Sequence, residues 1–147
     1  MVFPVHLNPK VREVVFRELA RVERVVLLNP LPYHDLVEVM RRSELVLTDS
    51  GGLQEEAPSL RKPVVILREV TERPETVESG FGILVGTNPG RIVATVDRLL
   101  ADPALRRQMT EGENPFGDGR AAIRICDTLE ARLRASDVTA FPLLAAR

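Results

Sequence analysis

Residues 47–56 read LTDSGGLQEE, a run that passes from an apolar strand through a hydroxyl and two glycines into the start of a helix. Glycines let a ligand approach the backbone closely, and the first-turn N–H groups of a helix have no partner within the helix. Together with the helix dipole, these N–H groups favour a phosphate. Because ligands of parallel sheets bind beyond the carboxyl ends of the strands, this turn is the first candidate site in the chain.

The turn itself, Ser50-Gly51-Gly52, leaves two interpretations open. It is a phosphate site in which Ser50 adds a hydroxyl donor, or it is a plain glycine turn in which Ser50 caps the helix. The motif matches neither GxGxxG nor a Walker A loop, so a dinucleotide site and a P-loop are disfavoured.

On both sides of this turn, short apolar strands alternate with helices. The strands are predicted at 2–5, 25–28, 45–47, 64–67 and 82–85, and the helices at 9–22, 33–42, 53–60, 92–100, 103–109 and 120–134. Residues 68–80 are predicted mostly as a loop, with a helical turn after Pro74. This alternation predicts an α/β fold in which a parallel sheet with right-handed crossovers carries helices on both faces.

Composition limits the classes of function. At 147 residues the chain is long enough for one domain with its own core, and its formal net charge of -1 is not that of a typical nucleic-acid binder. A single cysteine excludes an internal disulfide and favours a reducing compartment, so a cytoplasmic location is predicted. No apolar run reaches about 18 residues and the start lacks a signal-peptide pattern, so no membrane partner is expected.

Two charged residues near the turn are further candidates. The carboxylate of Glu56 either accepts bonds from the vicinal hydroxyls of a ribose or complements the helix dipole, the role that we expect for Glu55. Arg73 lies in the loop after the fourth strand, where Pro74 follows it. It presents a planar fork to a phosphate, or it is one residue of a solvated charged loop.

The histidines and the cysteine carry weaker signals. His6 ends the first strand, where it either contacts a ligand or serves as a structural hydrogen-bond partner. His34 is predicted to be exposed, and Cys126, on the apolar stripe of the last helix, is predicted to be core and inert. No Cys/His cluster has metal-ligand spacing and no Ser/His/Asp arrangement can be assembled, so no metal, cofactor or catalytic residue is predicted.

Five stretches, taken in order, resemble the non-hydrolysing UDP-N-acetylglucosamine 2-epimerase family. They are residues 4–9 (PVHLNP), 47–60 (LTDSGGLQEEAPSL), 62–64 (KPV), 71–75 (TERPE) and 114–119 (NPFGDG). The resemblance implies a two-domain, glycosyltransferase-B-type fold, of which residues 1–134 supply a partial, Rossmann-like C-terminal domain. Residues 135–147 are predicted to form a poorly ordered tail.

The resemblance also implies roles for individual residues. The Ser50-Gly51-Gly52 turn would hold the diphosphate of UDP, Glu56 would bind the ribose hydroxyls, and Arg73 would contact UDP. Leu36 matches a position whose backbone reads the uracil edge. His6 matches a histidine that contacts a second, activating UDP-N-acetylglucosamine in some bacterial members.

The family reaction inverts C2 of UDP-N-acetylglucosamine to give UDP-N-acetylmannosamine, without a metal or a nicotinamide. It resembles elimination of UDP to a glycal, followed by re-addition after the opposite face of C2 is protonated. The carboxylates thought to move protons lie in the N-terminal domain, and the family's glycine-histidine-arginine-arginine-glutamate stretch is absent from this sequence. We therefore expect an N-terminally truncated chain that binds UDP or UDP-N-acetylglucosamine and lacks epimerase activity alone.

Two other functions fit the same residues. The chain could be the donor-binding half of a UDP-sugar glycosyltransferase, or a non-enzymatic UDP-sugar binding module. The joint presence of the glycine turn and the TERPE stretch favours the epimerase. Members of this family tend to dimerise, largely through parts absent from this sequence, so the resemblance leaves a homodimer open. We expect the strand at 2–5 to lie inside a larger sheet with an open apolar edge.

Overall fold

The computed structural model describes residues 1–135, along which strands and helices alternate. The elements are β1 (Val2–Pro4), α1 (Pro9–Leu19), β2 (Val26–Leu28), α2 (Tyr33–Arg42), β3 (Val46–Thr48), α3 (Gly51–Ser59), β4 (Val64–Ile66), α4 (Pro74–Glu78), β5 (Gly82–Leu84), α5 (Pro89–Ala101), α6 (Pro103–Thr110) and α7 (Ala121–Ala135). The α/β prediction is therefore confirmed, and α2 has the predicted bounds.

The strand pairs are all parallel, but they form two sheets instead of one. One sheet has the order β1-β2 and the other has the order β3-β4-β5. In a six-stranded doubly wound sheet with the order 3-2-1-4-5-6, strand 1 lies between strands 2 and 4. In this order, β2 and β1 correspond to strands 3 and 2, and β3, β4 and β5 correspond to strands 4, 5 and 6. Residues 1–135 supply no strand that joins β1 to β3.

Strand β4 separates two hydrophobic clusters because successive side chains of a strand point to opposite faces. Val64 and Ile66 belong to a first cluster with Met40, Val46 and Ala57, against which α2 and α3 pack. Val65 belongs to a second cluster on the other face, together with three residues from the chain beyond β5, Val85, Leu99 and Met109. Helices thus cover both faces of the three-stranded sheet, as predicted.

Three helices begin with a side-chain cap followed by proline; α1 and α6 start where predicted, whereas α5 starts at Pro89, three residues before the predicted start. Asn8 accepts a hydrogen bond from the backbone of Lys10 at 3.0 Å before α1. Asn88 and Asp102 cap α5 and α6 in the same manner. A proline in the first turn costs no helical hydrogen bond, since its N–H would have had no partner inside the helix. Local sequence therefore fixes where these helices start.

The last helix departs from the prediction. Cys126 is exposed, so the prediction that it belongs to the core is wrong. Ile125, Leu129 and Leu133, on the same apolar stripe, are also exposed, to 58%, 54% and 63%. An amphipathic pattern predicts that a helix has an apolar face, but it does not show which part of the chain packs against that face. Within residues 1–135, nothing buries the apolar face of α7. The predicted tail lies outside the described residues, apart from Ala135, which ends α7.

The packing of β5 against α4 yields a stability prediction. A Cβ atom added at Gly82 would lie 2.8 Å from Cγ2 of Thr76 and 3.0 Å from Cδ1 of Ile66. We expect Gly82→Ala to lower the free energy of unfolding by about 1–3 kcal/mol, since overpacking forces these buried neighbours to move.

The matched control is Gly112→Ala, whose Cβ would lie in ordinary contact, 3.7 Å from the nearest atom of Phe81. Urea denaturation of both variants measures the difference. Equal midpoints for the two variants would show that Gly82 is not a tight packing position.

Candidate anion-binding site

The Ser50-Gly51-Gly52 turn follows β3 directly. Helix α3 begins at Gly51, two residues before the predicted start, so both glycines lie in its first turn. The backbone N–H of Ser50 donates to Oγ1 of Thr48 at 3.0 Å, which fixes the exit from the strand. Among the described residues, the Ser50 side chain makes no capping hydrogen bond to α3. The Ser50 hydroxyl therefore does not serve as a side-chain N-cap of α3.

The glycines of the turn are not required by the local backbone. Neither has a positive φ, unlike Gly80, Gly86, Gly117 and Gly119 elsewhere in the described chain. A Cβ at Gly51 would meet nothing within 4 Å, and one at Gly52 would meet only Ser50 and Glu56, at 3.8 and 4.0 Å. Glycine in a helix costs about 0.5–1 kcal/mol relative to alanine. Two helical glycines without a steric reason favour a site where a ligand approaches the backbone.

Glu56 lies beside this turn on α3, with its Oε1 atom near the position that a Gly52 side chain would take. Its Oε2 atom is buried and has no hydrogen-bond partner among the described residues. A buried polar atom without a partner is costly and therefore rare in folded proteins. A hydrogen bond from a ligand to Oε2 of Glu56 would therefore replace no hydrogen bond that the folded chain makes at that atom.

Arg73 approaches the same helix from the loop after β4. Its Nε donates to Oε1 of Glu55, and its Nη1 donates to the carbonyl of Glu72 at 3.0 Å. The hydrogen bond that Arg73 donates to Glu55, followed by the negative charge of Glu55, raises the pKa of Arg73. Glu55 therefore does more than complement the helix dipole, because it ties the guanidinium to α3. About a third of the Arg73 side chain, 37%, stays accessible.

A buried glutamine, which the sequence reasoning missed, joins the two halves of the site. Gln54 is fully buried, and its side chain bonds to the carbonyl of Ser50 and to the hydroxyl of Thr71. Its backbone carbonyl accepts a hydrogen bond from Thr76, another fully buried residue, at 3.0 Å. Gln54 lies within the 47–60 stretch, but nothing in the sequence separates it from the two half-buried glutamates that follow; its full burial does.

The remaining candidates lie apart from this network within the described residues. His6 is exposed, and its Nδ1 accepts a hydrogen bond from the N–H of Asn8 at 3.1 Å. Leu36 packs against the first cluster, and its N–H donates to the carbonyl of Pro32 at 3.0 Å. His34 is exposed, as predicted, and contacts Asp35. The structure gives His6 and Leu36 local roles, and leaves their predicted ligand contacts untested.

Residues 1–135 contain no group of three His, Cys, Asp or Glu side chains that could hold a metal ion. None of the helices in this described part of the chain is long and apolar enough to cross a membrane. The chemistry that these residues offer is therefore that of the turn, the carboxylate and the arginine: hydrogen-bond donors and positive charge for an anion, and an acceptor for hydroxyl groups.

Comparison with known proteins places the chain in a family. A family model described as UDP-N-acetylglucosamine 2-epimerase matches residues 1–130. The UDP-N-acetylglucosamine 2-epimerase of Yersinia pestis is 52% identical over 130 residues, which are 88% of this chain and 35% of that protein. The chain thus spans about a third of the length of this curated relative.

Solved structures agree with this result. The Staphylococcus aureus MnaA–UDP complex is 46% identical, with a TM-score of 0.83 over 90% of this chain and 36% of that one. The Neisseria meningitidis UDP-GlcNAc 2-epimerase bound to UDP-GlcNAc is 44% identical, with a TM-score of 0.80 over 88% of this chain and 36% of that one. These similarities confirm the Rossmann-like fold. The chain belongs to the UDP-N-acetylglucosamine 2-epimerase family.

Proposed function

We propose that this chain is the UDP-binding portion of a UDP-N-acetylglucosamine 2-epimerase, which converts UDP-N-acetylglucosamine to UDP-N-acetylmannosamine. The observation that carries the proposal is the pair of helical glycines that the fold does not need, next to a buried carboxylate oxygen without a partner. Family relatives with bound UDP and bound UDP-GlcNAc support this choice of ligand. The family match also favours the epimerase over a glycosyltransferase.

In the proposed complex, the diphosphate lies against the N-terminus of α3, where Ser50, Gly51 and Gly52 donate hydrogen bonds. Arg73 adds a permanent positive charge from the neighbouring loop. Glu56 accepts from the ribose hydroxyls, and the backbone of Leu36 reads the uracil edge. His6 is left for a contact to the sugar or to an effector UDP-N-acetylglucosamine.

These residues assist the proposed reaction at one point, the departure of UDP. When the bond from C1 to the diphosphate oxygen breaks, negative charge develops on the leaving diphosphate. Backbone N–H groups, a helix dipole and a guanidinium stabilise that charge because they are already oriented toward it. Proton transfer at C2 requires an acid and a base, which we assign to the part of the enzyme outside these 147 residues.

The proposed enzyme works in the cytoplasm, where its product would serve cell-surface polysaccharide synthesis. The composition, with one cysteine, supports the location. We further propose that the open edges of β1 and β3 receive one strand from the rest of the enzyme. The two-sheet arrangement supports this, since it leaves the position between strands 2 and 4 of a doubly wound sheet unfilled.

The first test is the affinity for UDP of variants in the turn. Gly52→Ala places a methyl group where the diphosphate would approach, without a clash inside the fold. We expect calorimetry to show at least a tenfold loss of UDP affinity, together with an unchanged or higher melting temperature, because alanine favours the helix.

Gly90→Ala, in the first turn of α5, is the matched control, since its Cβ would also be tolerated, at 3.4 Å from Asn88. This variant should bind UDP like the unmodified chain. Failure of the unmodified chain to bind UDP, or equal binding by Gly52→Ala, contradicts the proposed function.

A second test separates the ribose from the diphosphate. Glu56→Gln keeps the size of the side chain but weakens its acceptor capacity, so we expect about a tenfold loss of UDP affinity. The loss should shrink when 2′-deoxyuridine diphosphate replaces UDP, and it should vanish with pyrophosphate.

Glu72→Gln is the control for this test, because Glu72 is exposed and close to Arg73 in sequence. A loss for Glu56→Gln that is the same with all three ligands would assign Glu56 to general stability instead of ribose binding.

A third test concerns turnover. We expect the chain alone to leave UDP-N-acetylglucosamine unchanged, and a mixture with the part of the Yersinia pestis relative that it does not cover to produce UDP-N-acetylmannosamine. The Gly52→Ala chain should fail in the same mixture. Turnover by the chain alone would show that the catalytic residues lie within it, and binding without turnover in any mixture would favour a binding module.

A further inference from the structure

A chain of three hydrogen bonds crosses from the glycine turn to the arginine loop through the Gln54 side chain. Nε2 of Gln54 donates to the carbonyl of Ser50 at 3.2 Å. Oε1 of Gln54 accepts from the hydroxyl of Thr71. Oγ1 of Thr71 in turn accepts from the backbone N–H of Arg73 at 3.0 Å. The turn after β3 and the loop after β4 are therefore connected by side chains as well as by the sheet.

The two backbone groups at the ends of this series of hydrogen bonds determine which side-chain atoms donate and which accept. A carbonyl such as that of Ser50 can only accept, and a backbone N–H such as that of Arg73 can only donate. The group between them must donate at one end and accept at the other, which an amide does and a carboxylate does not. Burial makes the requirement strict, because Gln54 has no access to water that could replace a lost partner.

Gln54 holds the arginine loop at a second point through its backbone. Thr76, at the start of α4, donates its hydroxyl to the carbonyl of Gln54, and its N–H contacts the carbonyl of Arg73 at 3.2 Å. The residues on both sides of Arg73 are thus tied to the same residue of α3. Glu55 then orients the guanidinium itself.

We propose that Gln54 is a positioning residue that holds the Arg73 loop against the Ser50-Gly51-Gly52 turn, so that the guanidinium and the turn face one diphosphate. The proposal rests on the proposed function, since it assigns Arg73 to UDP. It goes further in naming a residue that touches no ligand and acts on affinity by holding the Arg73 loop and the turn together.

Three variants test the proposal. Thr71→Val removes the hydroxyl with little change of shape, Gln54→Met removes the amide, and Thr71→Ser is the control that keeps the hydroxyl. We expect amide hydrogen exchange over residues 71–76 to rise at least tenfold in the first two variants. The control should retain the exchange of the unmodified chain. Exchange in β4 should stay unchanged in all three, since its hydrogen bonds to β3 and β5 remain.

Calorimetry with UDP, in the presence and absence of the Arg73 side chain, distinguishes a positioning role from a general effect on stability. We expect Thr71→Val and Gln54→Met to lower UDP affinity about fivefold to tenfold. In an Arg73→Ala background, Thr71→Val, which leaves the Gln54 bond to Ser50 in place, should change UDP affinity less than twofold, because groups that act through one another are not additive. An equal loss in both backgrounds overturns the positioning role.

Failure of the two proposals can be told apart. If the unmodified chain does not bind UDP, the proposed function is wrong, and the assignment of Gln54 to UDP affinity falls with it. If the chain binds UDP but exchange over residues 71–76 is unchanged in Thr71→Val and Gln54→Met, only the positioning role is wrong. Thr71 is partly exposed, so Thr71→Val remains informative where Gln54→Met lowers the stability of the whole chain.

Discussion

The pairing of β4 with both of its neighbours is the constraint on which the rest of this structure depends. Val64, Val65 and Ile66 are fully buried, and their side chains alternate between the two hydrophobic clusters. The parallel register sets Thr48 of β3, Ile66 of β4 and Leu84 of β5 at the same level. Because of this register, the glycine turn and the arginine loop emerge side by side from the same edge of the sheet.

The polar groups at this edge fall into two sets. Gln54 and Thr76 are fully buried and have their hydrogen bonds satisfied by protein atoms, as stable folding requires. Oε2 of Glu56 has no such partner among the described residues, and the first N–H groups of any helix have none within the helix. The division matters because a satisfied network keeps its geometry in the absence of ligand, while the unsatisfied groups next to it retain their capacity to bind. A preorganised site of this kind loses little free energy to rearrangement when the ligand arrives.

Sequence patterns predicted the elements better than the contacts between them. All five strands and α2 follow from apolar runs, and Asn8 and Asp102 mark helix starts because caps are local chemistry. The predicted start of α3 was two residues late, since glycine is a poor helix former and Gly51 resembles a turn residue. Cys126 was misplaced because an apolar stripe does not show what covers it.

The site candidates Ser50, Gly51, Gly52, Glu56 and Arg73 came from motifs, and the structure brings these segments to one edge. Gln54 could not be found in this way, because its role depends on burial and on a partner 17 residues away.

The open order of the strands links the fold to the division of labour that we propose for the enzyme. A doubly wound sheet binds its ligand where the strand order reverses, which is next to the position between β1 and β3 that residues 1–135 leave unfilled. The turn proposed to hold the diphosphate follows β3, and His6 follows β1. Stabilising charge on a leaving diphosphate needs only donors fixed at one helix terminus, whereas proton transfer at C2 needs groups placed on opposite faces of the sugar. One side of a cleft can supply the first requirement, but the second needs residues on both sides. In the proposed enzyme, a chain that contains the turn, the carboxylate and the arginine would therefore hold the nucleotide, and catalysis would begin only when the second side of the cleft is in place.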